Sequence, residues 1–191
     1  MADAPVAPAP KKGSLLKKVL IGLAVLVAVF LIVVAVQPSE YTVTRSAAIA
    51  APASEVFPAV NELRRWQRWS PWEALDPTMK RTFEGPEAGV NAAYAWAGND
   101  KVGEGRMTIT ESKPNEVVKL KLEFFKPMAG TSDVAFTFKE GAGKTDVTWA
   151  MSGKNNFVGK AFCLFMNMDK MLGGEFEKGL AQLKAATESK K

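Results

Sequence analysis

Histidine is missing from all 191 residues, and cysteine occurs once, at Cys163. Without histidine the chain lacks the usual zinc and copper ligand and the commonest general base near neutral pH. A Ser-His-Asp or Cys-His catalytic arrangement is therefore excluded. A single cysteine cannot close an internal disulfide, so the folded part must be held by its hydrophobic core. Cys163 lies among Phe162, Leu164 and Phe165 and reads as a small buried hydrophobe rather than a reactive thiol. No glycine-rich phosphate loop is present; Gly141-Ala142-Gly143 reads as a hairpin tip. Neither a metal nor a cofactor is expected.

The formal charge is +5, yet the centre of the chain carries none of that excess. Four lysines against Asp3 give +3 in residues 1–18, and Lys184, Lys190 and Lys191 against Glu188 give +2 in residues 184–191. The stretch between them is formally neutral. A nucleic-acid binder needs its positive charge gathered on a folded face, so no nucleic-acid partner is expected. Charge in the two tails is better placed to meet anionic lipid headgroups.

Charge is also absent from residues 19–36, eighteen consecutive apolar residues from Val19 to Val36. As a helix this run rises about 27 Å, close to the ~30 Å hydrocarbon core of a bilayer. Leu15 and Leu16, with Lys17 and Lys18 snorkelling to the interface, supply the remainder, which predicts a transmembrane helix over residues 15–37. Lys11, Lys12, Lys17 and Lys18 precede the run, whereas Glu40 and Arg45 follow it. The positive-inside rule then places the N-terminus in the cytoplasm. The soluble part is expected on the periplasmic or extracytoplasmic side of a bacterial inner membrane. A cleaved signal peptide is the competing reading; its apolar region usually spans about 7–15 residues, although Val33-Val34-Ala35 is a passable cleavage site. Residues 1–14 read as a disordered Ala/Pro-rich tail and residues 187–191 as a basic tail.

The remaining 150 residues or so suffice for one core. Loose alternation from Tyr41 to Ala50 predicts a first strand. Ala51-Pro52-Ala53-Ser54-Glu55 reads as a helix start, capped by Ser54, with Pro58 kinking the short helix or lying in its first turn. Strands follow over 79–84, 90–97, 103–112, 116–125, 132–139 and 145–152. The clearest puts Val118, Leu120, Leu122 and Phe124 on one face against Lys119, Lys121 and Glu123 on the other, as in an antiparallel sheet wet on one side. From Phe157 to Leu183 apolar residues recur every three or four positions, which predicts one long amphipathic helix bent at Gly173-Gly174. The expected class is α+β.

Several segments resemble a known family. Ala48-Ile49-Ala50-Ala51-Pro52, Val56-Phe57 and Trp66-Gln67-Arg68-Trp69-Ser70-Pro71-Trp72 resemble the opening of the polyketide cyclase/dehydrase and lipid-transport group of the START-like (SRPBCC) superfamily. The likeness continues through Tyr94–Asn99, Val102–Gly105, Val147-Thr148-Trp149 and Gly179–Leu183, and spans residues 40–186. It implies a helix-grip fold: a curved antiparallel sheet of six to seven strands around a long C-terminal helix, enclosing an apolar cavity. It implies no particular reaction.

If the cavity exists, Tyr94, Trp96, Phe124, Phe136, Trp149 and Met151 on the apolar strand face must line it. Phe162, Phe165 and Met168 would arrive from the helix. Trp66, Trp69 and Trp72, three apart, form either a wall of that cavity or ordinary core with Arg64, Arg65 and Arg68 outside. Glu104, Arg106, Lys119, Lys121, Glu123 and Asp133 fall on the opposite, solvated strand face. That leaves the Tyr94 hydroxyl and the indole N–H groups as the polar groups near the interior. Asn155 and Asn156 are positioned to cap the last helix. Three readings stay open: a membrane-anchored binder of a small hydrophobic or amphipathic ligand, a cyclase- or hydrolase-type enzyme using Tyr94 and an inward carboxylate, or an interaction module with a filled cavity.

Overall fold

A computed structural model describes residues 12–189; residues 1–11 and 190–191, within the two expected tails, lie outside the described residues. Helix α1 (Lys12–Ala35) contains the apolar run, and its 21 residues from Leu15 to Ala35 rise about 31 Å. Most of its side chains are exposed, and by length and composition it could cross a membrane. Val34 is the exception, fully buried where α1 meets a later helix.

Seven strands follow: β1 (Glu40–Ile49), β2 (Lys80–Glu84), β3 (Ala93–Ala97), β4 (Glu104–Lys113), β5 (Val117–Lys126), β6 (Gly130–Gly141) and β7 (Lys144–Lys154). They form one antiparallel sheet in the order β1-β7-β6-β5-β4-β3-β2. Only the β1–β7 pairing joins strands distant in sequence, with Val43 opposite Met151. Two register shifts in β4, at Glu104/Gly105 and at Ile109/Glu111, add the local twist that helps a sheet of this width curve. The outer face carries the predicted charges, several of them in cross-strand pairs, including Arg106 with Glu84 and Lys119 with Glu111.

Between β1 and β2 lie α2 (Ala53–Asn61) and two 3₁₀ turns, Leu63–Arg68 and Pro71–Ala74. Ser54 does not cap α2: Pro52 occupies the N-cap, and the Ala53 N–H instead donates to Glu140 Oε2 on β6 at 2.9 Å. A carboxylate from another element thus does the work expected of the local serine. At the other end, the Trp66 and Trp69 indoles donate to the carbonyls of Val60 and Ala59, at 2.8 and 2.9 Å. These carbonyls belong to the last turn of α2, where no intrahelical donor remains. Arg64 lies over the Phe83 ring, 4.4 Å from its centroid.

The expected single C-terminal helix is two, α3 (Phe157–Cys163) and α4 (Met168–Glu188). Asn156 caps α3, accepting from the Gly159 N–H, and Asn167 caps α4, accepting from the Lys170 N–H. The second cap is why the chain breaks near residue 167 and not at Gly173-Gly174. Gly173 serves a different purpose: a Cβ there would collide with the Arg45 guanidinium. That guanidinium reaches from β1 to Asp169 at 2.9 Å and to Glu177 at 2.7 Å, holding α4 against the sheet. The same contact keeps the Asp169 carboxyl below the usual range. Cys163 is half-buried, not buried as expected, because α3 leaves one flank open to solvent; its sulfur receives the Asn155 amide at 3.5 Å.

Candidate functional site

Alternation along β3–β7 sends one set of side chains to the concave face, and α4 closes over part of it. Phe176, Leu180 and Leu183 of α4 are buried there. At the centre the aromatic rings meet one another: Trp149 stacks on Phe176 at 4.2 Å, and Phe136 lies 4.8 Å from Trp149. Trp66 and Trp69 pack edge-on against both Phe136 and Trp149. The Trp149 indole N–H has no hydrogen-bond partner and is enclosed by these rings.

Beyond this cluster the concave face is not filled. A cavity of about 250 Å³ extends over β3, β4 and β5. Its wall is mostly apolar: Trp66 and Trp72 on one side, Tyr94, Trp96, Met107, Leu122 and Phe124 on the sheet, and Trp149, Met151, Leu172 and Phe176 at the back. It reaches the surface between the β3–β4 loop (Asp100–Gly103), Lys126-Pro127 and the first turns of α4. At about 30 Å³ per water molecule it would hold the liquid volume of roughly eight waters. That is just under the ~300 Å³ at which ligand pockets usually begin.

One corner is polar. Glu73, from the second 3₁₀ turn, lines the cavity with its carboxylate. Arg81 of β2 donates to its Oε2 through Nε at 2.8 Å and Nη2 at 2.6 Å, and the Tyr94 hydroxyl donates to Oε1 at 2.9 Å. This two-pronged pairing orients the carboxylate firmly. Burial, and then the neighbouring Glu73 charge, push the Tyr94 phenol well above its ordinary value. Tyr94 therefore remains a neutral donor across the physiological range. Close by, the Asp76 carboxylate accepts from the Asn99 and Thr78 N–H groups and from the Thr78 hydroxyl. These bonds, the Asn99 one first, hold it below the usual carboxylate range and tie down the β3–β4 turn beside the cavity mouth.

Of the side chains expected at a cavity, Trp66, Trp72, Tyr94, Trp96, Phe124, Trp149 and Met151 stand in its wall. Trp69 and Phe136 do not; both are fully buried behind it in the ring cluster. Phe162, Phe165 and Met168 are elsewhere, because the break before α4 carries α3 off the sheet. Phe165 and Met168 border a separate open groove of about 550 Å³ beside the start of β1, and Phe162 is exposed on α3. Leu172 and Phe176 take their places in the cavity wall. The indole N–H groups expected to face a ligand are mostly occupied: besides Trp66 and Trp69, Trp96 donates to the Val102 carbonyl at 3.0 Å.

Sequence reasoning missed Glu73 and Arg81. Glu73 lies in a 3₁₀ segment whose period assigns no face. Arg81 was readable, since it shares the inward side of β2 with Phe83. An arginine on an apolar strand face calls for a buried partner. Among the described residues, no cluster of three His, Cys, Asp or Glu side chains forms a metal-binding group.

A model of the family described as polyketide cyclase / dehydrase and lipid transport matches residues 40–188. No curated protein matches. The fold is similar to that of a protein from Chromobacterium violaceum (TM-score 0.57, 14% identity, covering 77% of this chain and 96% of that one). It is also similar to the Aha1 dimer from Colwellia psychrerythraea (0.56, 16%, 78% and 96%) and to a protein from Mycobacterium smegmatis (0.55, 19%, 78% and 92%). At these identities the likeness concerns the fold alone.

Proposed function

The chain belongs to the polyketide cyclase/dehydrase and lipid-transport family, and from that premise we propose that it holds one small hydrophobic or amphipathic molecule beside a membrane. The observation that carries this reading is the cavity itself, apolar over most of its wall, with Ser70 and the Glu73–Tyr94 corner as its inner polar groups and the exposed Asp100, Lys101 and Lys126 at its outer end. Such a wall favours a ligand with an apolar body and a single hydrogen-bonding end. Met79, Met107 and Met151 in the wall adapt to varied shapes, so selectivity for the body is loose. At about 250 Å³ the space takes a small molecule or part of one acyl chain, not a whole two-chain lipid.

In this reading α1 is an uncleaved single-pass anchor with the N-terminus cytoplasmic and the domain on the outer side of a bacterial inner membrane. The lysines before the span and the length of α1 support it. Tethering raises the local concentration of any ligand that partitions into the same bilayer.

The test is mass spectrometry of an organic extract from the gently purified full chain. A reproducible small molecule is expected, and Met107→Trp, which fills the cavity, should abolish it while preserving the fold by circular dichroism. An extract identical for both proteins would refute ligand carriage. Enzymatic use of the corner is the second reading, favoured by the Glu73 carboxylate, the half-buried one of the two that line the cavity. It requires Glu73→Gln to abolish turnover of an extracted ligand while leaving its binding intact.

A further inference from the structure

Seven strand ends, starts and finishes in alternation, meet along one edge of the sheet. The register places Glu40, Lys154, Phe124 and Gly130, Glu104, Ala97 and Lys80 along that edge. The chain enters the domain there: only Val36–Ser39 separate α1 from β1. Four residues span at most about 14 Å, so the edge cannot stand far from wherever α1 ends. Helix α3 narrows the gap further. It packs on the last turn of α1, burying Val34, and Lys160 donates to the Ala35 carbonyl at 3.2 Å. That carbonyl is one of the orphan acceptors at the helix C-terminus, so the contact fixes α3 at the level of the end of the span.

Helix α3 has no buried residue at all. Val158, Phe162 and Phe165, at helical spacing, are 59%, 42% and 80% exposed. Along the same edge, about three strand spacings or ~14 Å from β1, the end of β5 and the β5–β6 loop expose Phe125 and Met128. The cavity reaches this same edge, where Lys126-Pro127 beside the β5–β6 loop and the β3–β4 loop line it opposite Leu172 of α4. Exposed aromatic and aliphatic side chains at the height of a membrane surface bury themselves in its interfacial layer.

We propose that this edge is a membrane-docking surface: α3 and the β5–β6 loop insert into the leaflet from which α1 emerges, and the cavity mouth faces the bilayer. The ligand then passes from lipid to cavity without crossing water. The proposal rests on α1 being a bilayer span, and the geometry commits the surface to lipid because α1 leaves it no freedom to turn away.

The experiment uses the full chain with Cys163→Ala, reconstituted in vesicles of phosphatidylethanolamine and phosphatidylglycerol. Single cysteines carrying an environment-sensitive fluorophore replace Phe165, Met128, Lys144 and Val27, one at a time. Lys144 lies in the β6–β7 turn at the opposite edge, and Val27 at the middle of α1. For Phe165→Cys and Met128→Cys, nitroxide lipids should quench several-fold more than aqueous iodide, with blue-shifted emission. Lys144→Cys should show the reverse, and Val27→Cys quenching by deep nitroxides only. If Val27→Cys is lipid-buried while the Phe165 and Met128 labels answer to iodide, docking is overturned and the anchor stands. If those two labels are shielded from both quenchers, protein covers the edge and docking is likewise overturned. If Val27→Cys answers to iodide, the anchor and the docking surface fall together.

Discussion

Two halves of one concave sheet face are built from the same alternation of apolar residues and end differently. Over β7 and β6, Trp149 and Phe136 meet Trp66, Trp69 and Phe176 ring to ring, with centroids 4.2–6.3 Å apart. Over β5, β4 and β3, Leu122, Met107 and Trp96 face a void. The strands do not explain the difference, for Leu122 and Phe136 are equally regular in register. What differs is the element opposite. Arg45 clamps α4 over the β1 end of the sheet, and the Trp66–Trp69 turn is pinned to α2, so α4 covers β1 and leaves the far strands open. A cavity here is a consequence of where one helix is held.

The sharpest way to break this contrast is to cut one large side chain from each half. Phe136→Ala should cost about 3–5 kcal/mol, as for an aromatic truncated in a filled core. Leu122→Ala should cost less than about 2 kcal/mol, because its side chain already borders empty space. Urea midpoints of the two variants measure the difference. Equal losses would mean that the far half is packed in solution.

Next in size is the polar corner. Glu73→Ala strands the Arg81 guanidinium, whose side chain is 20% exposed, and deprives Tyr94 of its acceptor. A loss of about 2–3 kcal/mol is expected, below the ~3–5 kcal/mol of a fully buried broken pair. Glu73→Gln, which keeps the shape and the Tyr94 bond, should recover part of it in the same urea titration.

Acid should then act on the edge of the hollow half and on the α4 clamp. Asp76 and Asp169 both have lowered values in the folded state. Such groups stabilise fully above the unfolded aspartate value of about 3.9 and lose that contribution as pH falls through the folded one. A thermal scan should be flat from neutrality to about pH 5 and then show a modest fall in Tm. Asp76→Asn should flatten part of the acid limb. The smallest effect belongs to Arg64→Ala, which removes the stack on Phe83 outside both halves and should cost about 0.5–1 kcal/mol.

Much of this architecture could be read before any coordinates. Strands with clean alternation, such as Val117–Lys126, were legible because a face buried against wet solvent imposes a period of two. The ends of the last helices were not: the turn that Asn167 caps is also held by Asp169 to Arg45, over 120 residues away, which no local spacing shows. The cavity wall was half legible for the same reason. Strand residues Tyr94, Trp96 and Phe124 follow from the period, whereas Phe162 and Phe165 follow the period and still point away.

The sequence by itself determined the apolar run of α1, the sheet, its inward face and the absence of histidine chemistry. These depend on the identity and local spacing of residues, which short-range physics reads directly. Only the tertiary structure decided which aromatics fill the core and which line a void. It alone brought Glu73 to Tyr94 and Arg81, and set α3 beside the end of α1. Those outcomes depend on distances between elements far apart in the chain, and no local pattern encodes them.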